Sequence, residues 1–232
     1  MARHPRLTRE DRPVAPDAVW LRAEGSGIGR PPRYTRDTVT VAAVRAADRD
    51  GLAVLTMRSV AAELGTGGGS LYRHVAGRNE LVDLMVDHVA GEYQLPAPSG
   101  RWLDDLVALA VQGLAIHQRH PWLTEVVGTP VVGPNGLRLS EHVLAVLDAH
   151  PAGDSQKLVA YAVMNALISS FARTLHGTPD PERSQAQAAY VAHVLARGEH
   201  PHLAALSPES PQGPDEVFPD VIRRVLVGLL EP

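Results

Sequence analysis

The chain has 232 residues, 44% of them hydrophobic but only 4% aromatic, which argues against general disorder and predicts an aliphatic core of Ala, Val and Leu. It contains no cysteine, so disulfides, thiolate metal sites and a cysteine nucleophile are excluded, and a reducing compartment is compatible. The net charge of −4 is the sum of +4 over residues 1–80, which contain 13 arginines and 9 acidic residues, and −8 over the remainder. We therefore expect the N-terminal part to bind a polyanion.

Residues 1–34 predict an extended basic arm, because prolines recur among seven arginines and one histidine. A short apolar stretch within the arm, residues 19–21, could dock on the folded part. The stretch 29–33, which ends at Arg33, could enter a minor groove of DNA or could be a solvated tail. No apolar segment of signal-peptide or membrane-spanning length is apparent, so we expect a cytoplasmic protein without a membrane partner.

Helical periodicity begins at Thr35, a plausible N-cap, and ends at residues 50–51. Thr56 is the next N-cap candidate, and the helix it opens is predicted over residues 57–64. A further helix opens at residues 77–80 and ends before the prolines at positions 96 and 98.

The remainder of the chain also predicts helices only, so the fold class is all-α. We find no strand-like alternation and no internal repeat. Clusters of glycine and proline separate the predicted helices, which cover about residues 101–119, 121–127, 134–149, 155–176, 182–197 and 215–230.

Three consecutive glycines, residues 67–69, follow the second predicted helix. A phosphate-binding loop needs its glycines after a strand, and a Gly-Lys-Ser or Gly-Lys-Thr sequence, neither of which is present here. A flexible linker is also disfavoured, because Leu71, Tyr72 and Val75 resume helical spacing at once. The segment must therefore pack.

The remaining interpretation is a helix, a short turn and a second helix. The first helix ends at Leu64, Gly65 takes the left-handed position, and a second short helix runs from Thr66 to about His74. In DNA-binding proteins this arrangement places the second helix in the major groove. A helical hairpin without a ligand is the alternative on spacing alone.

Three stretches resemble the DNA-binding domain of the tetracycline-repressor (TetR) family: residues 56–65 (TMRSVAAELG), 70–75 (SLYRHV) and 78–81 (RNEL). The C-terminal half resembles the ligand-binding half of the tetracycline-repressor branch more loosely. The resemblance implies a homodimeric repressor in which the arm over residues 1–34 is followed by a three-helix helix-turn-helix domain over 35–80 and a helical ligand-binding and dimerisation domain over 81–232. A small molecule of unknown identity would release it from double-stranded DNA that carries an inverted repeat.

The same resemblance assigns roles to residues of the helix-turn-helix domain. Arg58 matches a base-reading arginine, whose guanidinium can fork onto guanine, and Arg78 matches a phosphate-binding lysine. Gly68 and Gly69 stand where the tetracycline repressor has base-contacting side chains, so readout should shift to other residues, Tyr72 among them. The complete set of expected DNA contacts is Arg33, Thr56, Arg58, Thr66, Gly68, Gly69, Ser70, Tyr72, Arg73, His74 and Arg78.

Polar and aromatic groups on the apolar C-terminal helices predict the effector pocket, with Gly113 leaving room for the ligand. For each residue alone, a packing or surface role is the alternative. The expected lining is Leu109, Gln112, Gly113, His117, Trp122, Val127, Leu139, Val143, Tyr161 and Asn165. The tetracycline repressor has a metal-associated histidine just before its Gly-Thr, where this chain has Val127, so we do not expect magnesium-tetracycline binding, a metal or a cofactor.

Two C-terminal helices, predicted over residues 155–176 and 215–230, present apolar faces that could form a four-helix interface in a homodimer. The same faces could instead form the core of a single chain. No nucleophile turn such as Gly-x-Ser-x-Gly and no acid–base pair is recognisable, so we do not predict an enzyme. The remaining alternatives are a helical small-molecule carrier that does not bind DNA, or an unrecognised all-α enzyme.

Overall fold

A computed structural model describes residues 19–22, 34–126, 133–177, 180–206 and 213–231. Within these ranges all regular structure is helical, which confirms the predicted all-α class. Three segments are 3₁₀ helices: Val19–Leu21, Gly68–Arg73 and Pro121–Glu125. The α-helices are α1 (Arg36–Asp50), α2 (Met57–Glu63), α3 (Arg78–Ala90), α4 (Trp102–Arg119), α5 (Pro134–Val146), α6 (Asp154–His176), α7 (Pro181–Ala196), α8 (Pro201–Ala204) and α9 (Pro214–Leu230).

The described residues pack as two compact units. The first contains those of Met1–Gly91 together with Pro130–Arg138, and the second contains those of Glu92–Thr129 and Leu139–Pro232. The first unit therefore extends beyond residue 80, where the sequence suggested a boundary, because α3 packs on α1.

The first unit forms around α1 and α3. The Thr35 hydroxyl accepts the N–H of Thr38 and so caps α1, and Gly51 ends the helix with a φ of +85°, a conformation that favours glycine. Val39, Ala43 and Met85 are fully buried between the helices. The spacing of small and branched apolar residues along α1 thus produces a tight aliphatic core.

The second unit is a helical bundle in which α4, α6 and α9 pack against one another. Its core is mostly aliphatic, with Phe171 and Phe218 in edge-to-face contact at a ring-centroid distance of 5.0 Å. By length and composition α6 could cross a membrane, contrary to the expectation from the sequence, but here it buries Ala160, Met164 and other residues against the bundle. By contrast, α7 buries no residue.

The predicted helices differ from the observed ones mainly at their ends. Pro121–Glu125 is a single 3₁₀ helix rather than a helix to residue 127, and α5 ends at Val146 rather than at 149. The four-residue α8 was missed, because one turn of helix is too short to show a periodic pattern.

Candidate DNA-binding surface and effector site

A reciprocal capping box starts α2. The Thr56 hydroxyl accepts the N–H of Ser59 at 3.0 Å, and the Ser59 hydroxyl accepts the N–H of Thr56 at 2.9 Å. Two residues after this cap, Arg58 is exposed and makes no hydrogen bond or ion pair with the described residues. The cap therefore presents a guanidinium, free to bind, at the front of the helix.

The turn after α2 is a Schellman motif. The N–H of Thr66 donates to the carbonyl of Ala61 at 2.9 Å, and the N–H of Gly65 donates to that of Ala62 at 3.0 Å. Gly65 has a φ of +62°, as the sequence predicted for this position. The Tyr34 hydroxyl donates to the carbonyl of Leu64 at 2.6 Å and fixes the end of the helix from outside.

The segment after the turn, Gly68–Arg73, is a 3₁₀ helix and not the α-helix to His74 that the sequence suggested; we call it the recognition segment. Consecutive glycines weaken an α-helix by about 1 kcal/mol each relative to alanine, and 3₁₀ helices occur mainly as short segments such as this one. Leu71 is fully buried and anchors the segment. The Ser70 hydroxyl donates to the carbonyl of Gly67 at 2.7 Å. It also lies 3.0 Å from the Thr66 hydroxyl.

The outer side of the recognition segment is bare. A Cβ placed on Gly67, Gly68 or Gly69 would meet no atom within 4 Å. Tyr72 is 58% exposed, and Arg73 is exposed with its Nε donating to the carbonyl of Ser70 at 2.9 Å. A groove floor could thus approach the backbone closely, with Tyr72 and Arg73 beside it.

Gly68→Ala should stabilise the recognition segment by about 0.4–1 kcal/mol, because the backbone of Gly68 is not in the left-handed region and a methyl group meets open space. Amide hydrogen exchange over residues 66–74 should be rapid in the free wild type, slower in Gly68→Ala, and slowest with DNA bound. Gly65→Ala is the matched control and should destabilise, because its φ is positive. Strong protection in the free wild type would show that the core alone orders the segment.

Two expected DNA contacts have structural partners inside the first unit. Arg78 is exposed, yet its guanidinium donates to the carbonyl of Leu55 at 3.0 Å and to that of Leu52 at 2.7 Å, which ties α3 to the connection before α2. His74 is only 6% exposed, so its side chain belongs to the core. Arg33 lies outside the described residues.

In the second unit, the space beside Gly113 is occupied. A Cβ there would lie 2.4 Å from the Tyr93 hydroxyl and 2.9 Å from Ile168. Gly113 therefore makes room for Tyr93 rather than for a ligand. Tyr93 was not among the predicted residues, because it lies between α3 and α4, where no periodic pattern marks it. Burial raises the pKa of the Tyr93 phenol, with the nearby Tyr161 as a smaller cause.

His117 links α4 to α6. Its Nδ1 donates to the carbonyl of Gly113 at 2.9 Å, so the neutral ring presents Nε2 as an acceptor to the Ser169 hydroxyl at 3.4 Å. Burial lowers the pKa of His117. His176 lies 3.0 Å from the His117 carbonyl. Polar side chains thus lie along α4 and α6, with Tyr93 beside them, and we call this set the polar row. Its members are Tyr93, His117, Tyr161, Ser169 and His176.

The other residues of the expected lining are not all gathered here. Gln112 is directed to the segment before α4, where its amide bonds both the N–H and the carbonyl of Gln94. Asn165 is exposed, and Val127 lies outside the described residues. The fully or nearly buried members, which contribute to the core, are Leu109, Trp122, Leu139 and Val143.

A cavity of about 520 Å³ in the second unit contains none of the expected lining residues. Trp102 and His150 lie on its wall with ring centroids 4.7 Å apart, beside Val146 and Leu230. Among the described residues, no group of three His, Cys, Asp or Glu is arranged to hold a metal ion.

Comparison with known proteins decides the family. The model of bacterial regulatory proteins of the tetR family matches residues 39–85, and the tetracyclin repressor-like C-terminal domain matches residues 95–232. The chain belongs to the TetR family. It is a DNA-binding transcriptional repressor, and proteins of this family dimerise and are regulators rather than enzymes in general.

Curated relatives and solved structures agree with this assignment. The transcriptional repressor DrrR1 of Streptomyces coeruleorubidus is 37% identical over 226 residues, which is 92% of this chain and 83% of DrrR1. Apo ActR of Streptomyces coelicolor has a TM-score of 0.67 at 26% identity, covering 86% of this chain and 98% of ActR. ActR in complex with actinorhodin has a TM-score of 0.66 at 27% identity, over 85% and 96% of the two chains.

Proposed function

We propose that this TetR-family repressor reads its operator with the start of α2 and the recognition segment. The observation that carries the proposal is the exposed Arg58, which is free of partners among the described residues and lies between Thr56 and Ser59, the two members of the capping box. Its guanidinium would pair with guanine O6 and N7 in the major groove.

The bare recognition segment would bring backbone close to the groove, and residues around it would supply further contacts. Backbone N–H groups at Gly68 and Gly69 can meet a phosphate, and Tyr72 and Arg73 are exposed beside them. Three hydroxyls near the segment make local hydrogen bonds, yet each has a lone pair left to accept a hydrogen bond from DNA; they belong to Thr56, Thr66 and Ser70. Arg78 and His74 would act mainly through the backbone they position.

The effector is proposed to bind the second unit along the polar row on α4 and α6. Those groups can meet hydroxyl and carbonyl oxygens on an otherwise apolar, aromatic molecule. The complex of the similar protein ActR with actinorhodin supports this class of ligand. Binding would favour a conformation with lower operator affinity, by a factor of about 5–150. No catalytic step is proposed for the site.

We also propose a homodimer, formed by the faces of α6 and α9 that the single chain leaves uncovered. On α6, Leu158 is 55% exposed and Val159 is 51% exposed, and Ala162 and Ala166 continue the same stripe. On α9, Gly228 has open space around it. Two such pairs of helices suit a four-helix interface, and the dimer would bind an inverted repeat in the cytoplasm.

Arg58→Ala should weaken operator binding by about 1–3 kcal/mol and relax the choice of base at one position in each half-site. The measurement is a fluorescence-anisotropy titration with duplexes from the promoter region of the protein's own gene. Arg101→Ala is the matched control: it removes the same charge from an exposed arginine of the second unit and should change affinity little. Equal affinity of wild type and Arg58→Ala would overturn the proposed readout, and a wild type that binds no duplex would favour the carrier function.

A further inference from the structure

Three separate segments of the first unit meet at the end of α3. They are residues 19–22, which precede the part of the chain matched by the family model, the side chain of Asp87, and residues 133–136 at the start of α5. We call the contacts of Trp20, Asp87 and Asn135 the junction.

Asp87 caps α5 from outside that helix. It is only 6% exposed, and its Oδ1 accepts the N–H of Asn135 at 3.0 Å and that of Gly136 at 2.9 Å. The Asn135 amide in turn donates to the Asp87 carbonyl at 3.1 Å and to Oδ2 at 3.3 Å. A buried carboxylate at a helix N-terminus is stabilised by the free N–H groups there and by the helix dipole.

Trp20 closes the junction from the other side. A Cβ built on Gly133 would lie 2.3 Å from Asp87 Cγ and 2.6 Å from Trp20 Cζ2, so only glycine allows the three segments to approach. Residues 19–22 are held in place by the burial of Val19 and by an ion pair between Arg22 and Glu80 of α3. The N-terminal segment is therefore a built part of the first unit.

The helix α5, whose start forms part of the junction, continues into the second unit. The first turn of α5 belongs to the first unit, whereas Leu139, Val143 and Val146 of the same helix lie in the core of the second unit. A displacement of α5 either keeps the cap on Asp87 or breaks it, since N–H groups and carboxylate must lie within hydrogen-bond distance. The structure shows the capped arrangement, and loss of the two N–H bonds to Asp87 Oδ1 would define the second arrangement that a coupling element requires.

We propose that Trp20, Asp87 and Asn135 form a latch through which DNA binding by the first unit and the state of α5 in the second unit influence each other. The proposal rests on the proposed function, because it assigns the regulation of the same DNA-binding surface. Reciprocity requires that operator DNA stabilise the part of α5 that lies in the second unit, just as a change there alters affinity for DNA.

The test is amide hydrogen exchange of the full-length protein, free and saturated with operator duplex. In the free protein, Asp87→Ala and Trp20→Ala should accelerate exchange at Gly136 by at least about tenfold, because the N–H loses a charged acceptor or its packing. Leu21→Ala is the matched control, since Leu21 lies in the same 3₁₀ turn and is 83% exposed. Unchanged exchange at Gly136 in both variants would overturn the latch.

The second arm uses the DNA itself. Operator binding should slow exchange over residues 139–146 in wild type and in Leu21→Ala, and should leave it unchanged in Asp87→Ala. If Asp87→Ala does not fold, Asp87→Asn is used instead. This variant removes the charge and places the new side-chain amide against the amide of Asn135. Protection that persists in the variant would overturn the latch alone, whereas a wild type that binds no duplex would overturn the proposed function and the latch with it.

Discussion

Leu71→Ala is expected to destabilise the first unit by about 2–5 kcal/mol and to abolish operator binding at micromolar protein. Leu71 is fully buried and is the main side chain by which the recognition segment packs on the unit, so truncation leaves a cavity beneath a segment already weakened by glycines. Urea denaturation followed by circular dichroism gives the free energy of unfolding, and anisotropy gives the affinity.

Tyr72→Ala separates stability from recognition at the neighbouring position. Tyr72 is 58% exposed, so its truncation should change the free energy of unfolding by less than about 0.5 kcal/mol while still weakening DNA binding. A Leu71→Ala variant as stable as wild type would show that the recognition segment does not depend on this anchor.

Val159→Asp should convert a dimer into a monomer at micromolar concentration and reduce operator affinity by about 10²–10⁴-fold. Val159 is 51% exposed in the single chain, so a carboxylate costs little there, but in the dimer it would be buried without a partner. A monomer loses the gain from binding two half-sites through one molecule. Sedimentation velocity and an anisotropy titration measure the two effects.

Val111→Asp is the matched control for the dimer interface. It makes the same substitution at an exposed position of the second unit, 42% accessible and on α4 rather than on α6. We expect Val111→Asp to remain dimeric and to bind operator as the wild type does. A Val159→Asp variant that stays dimeric would place the interface on another face.

The helices and their order could be predicted because apolar periodicity, caps and glycine stops are local signals. The sequence also located Gly65 as the left-handed residue, since only the end of α2 was needed to find it. The 3₁₀ form of the recognition segment could not be predicted, because Leu71 and Val75 have a spacing that an α-helix also satisfies. The three glycines lower the preference of the segment for an α-helix, but no local pattern specifies the 3₁₀ form that replaces it.

The parts of the candidate sites that the sequence did not reveal depend on contacts between distant residues. Arg78 reaches carbonyls 23 and 26 positions earlier, and Asp87 caps a helix that begins 47 positions later. Tyr93 fills the space that the sequence analysis assigned to a ligand beside Gly113. No local pattern encodes such pairings, since they arise only once the helices pack.

Selection of bound duplexes from a random library, by wild type and by Arg58→Ala in parallel, tests the DNA readout most directly. The wild type should enrich an inverted repeat whose half-site centres lie about 34–36 Å apart or a multiple of this, with a G·C pair fixed at one position of each half. Arg58→Ala should enrich the same repeat with that position relaxed. No enriched sequence for the wild type, or an identical motif for both proteins, would contradict readout by the exposed Arg58 of α2.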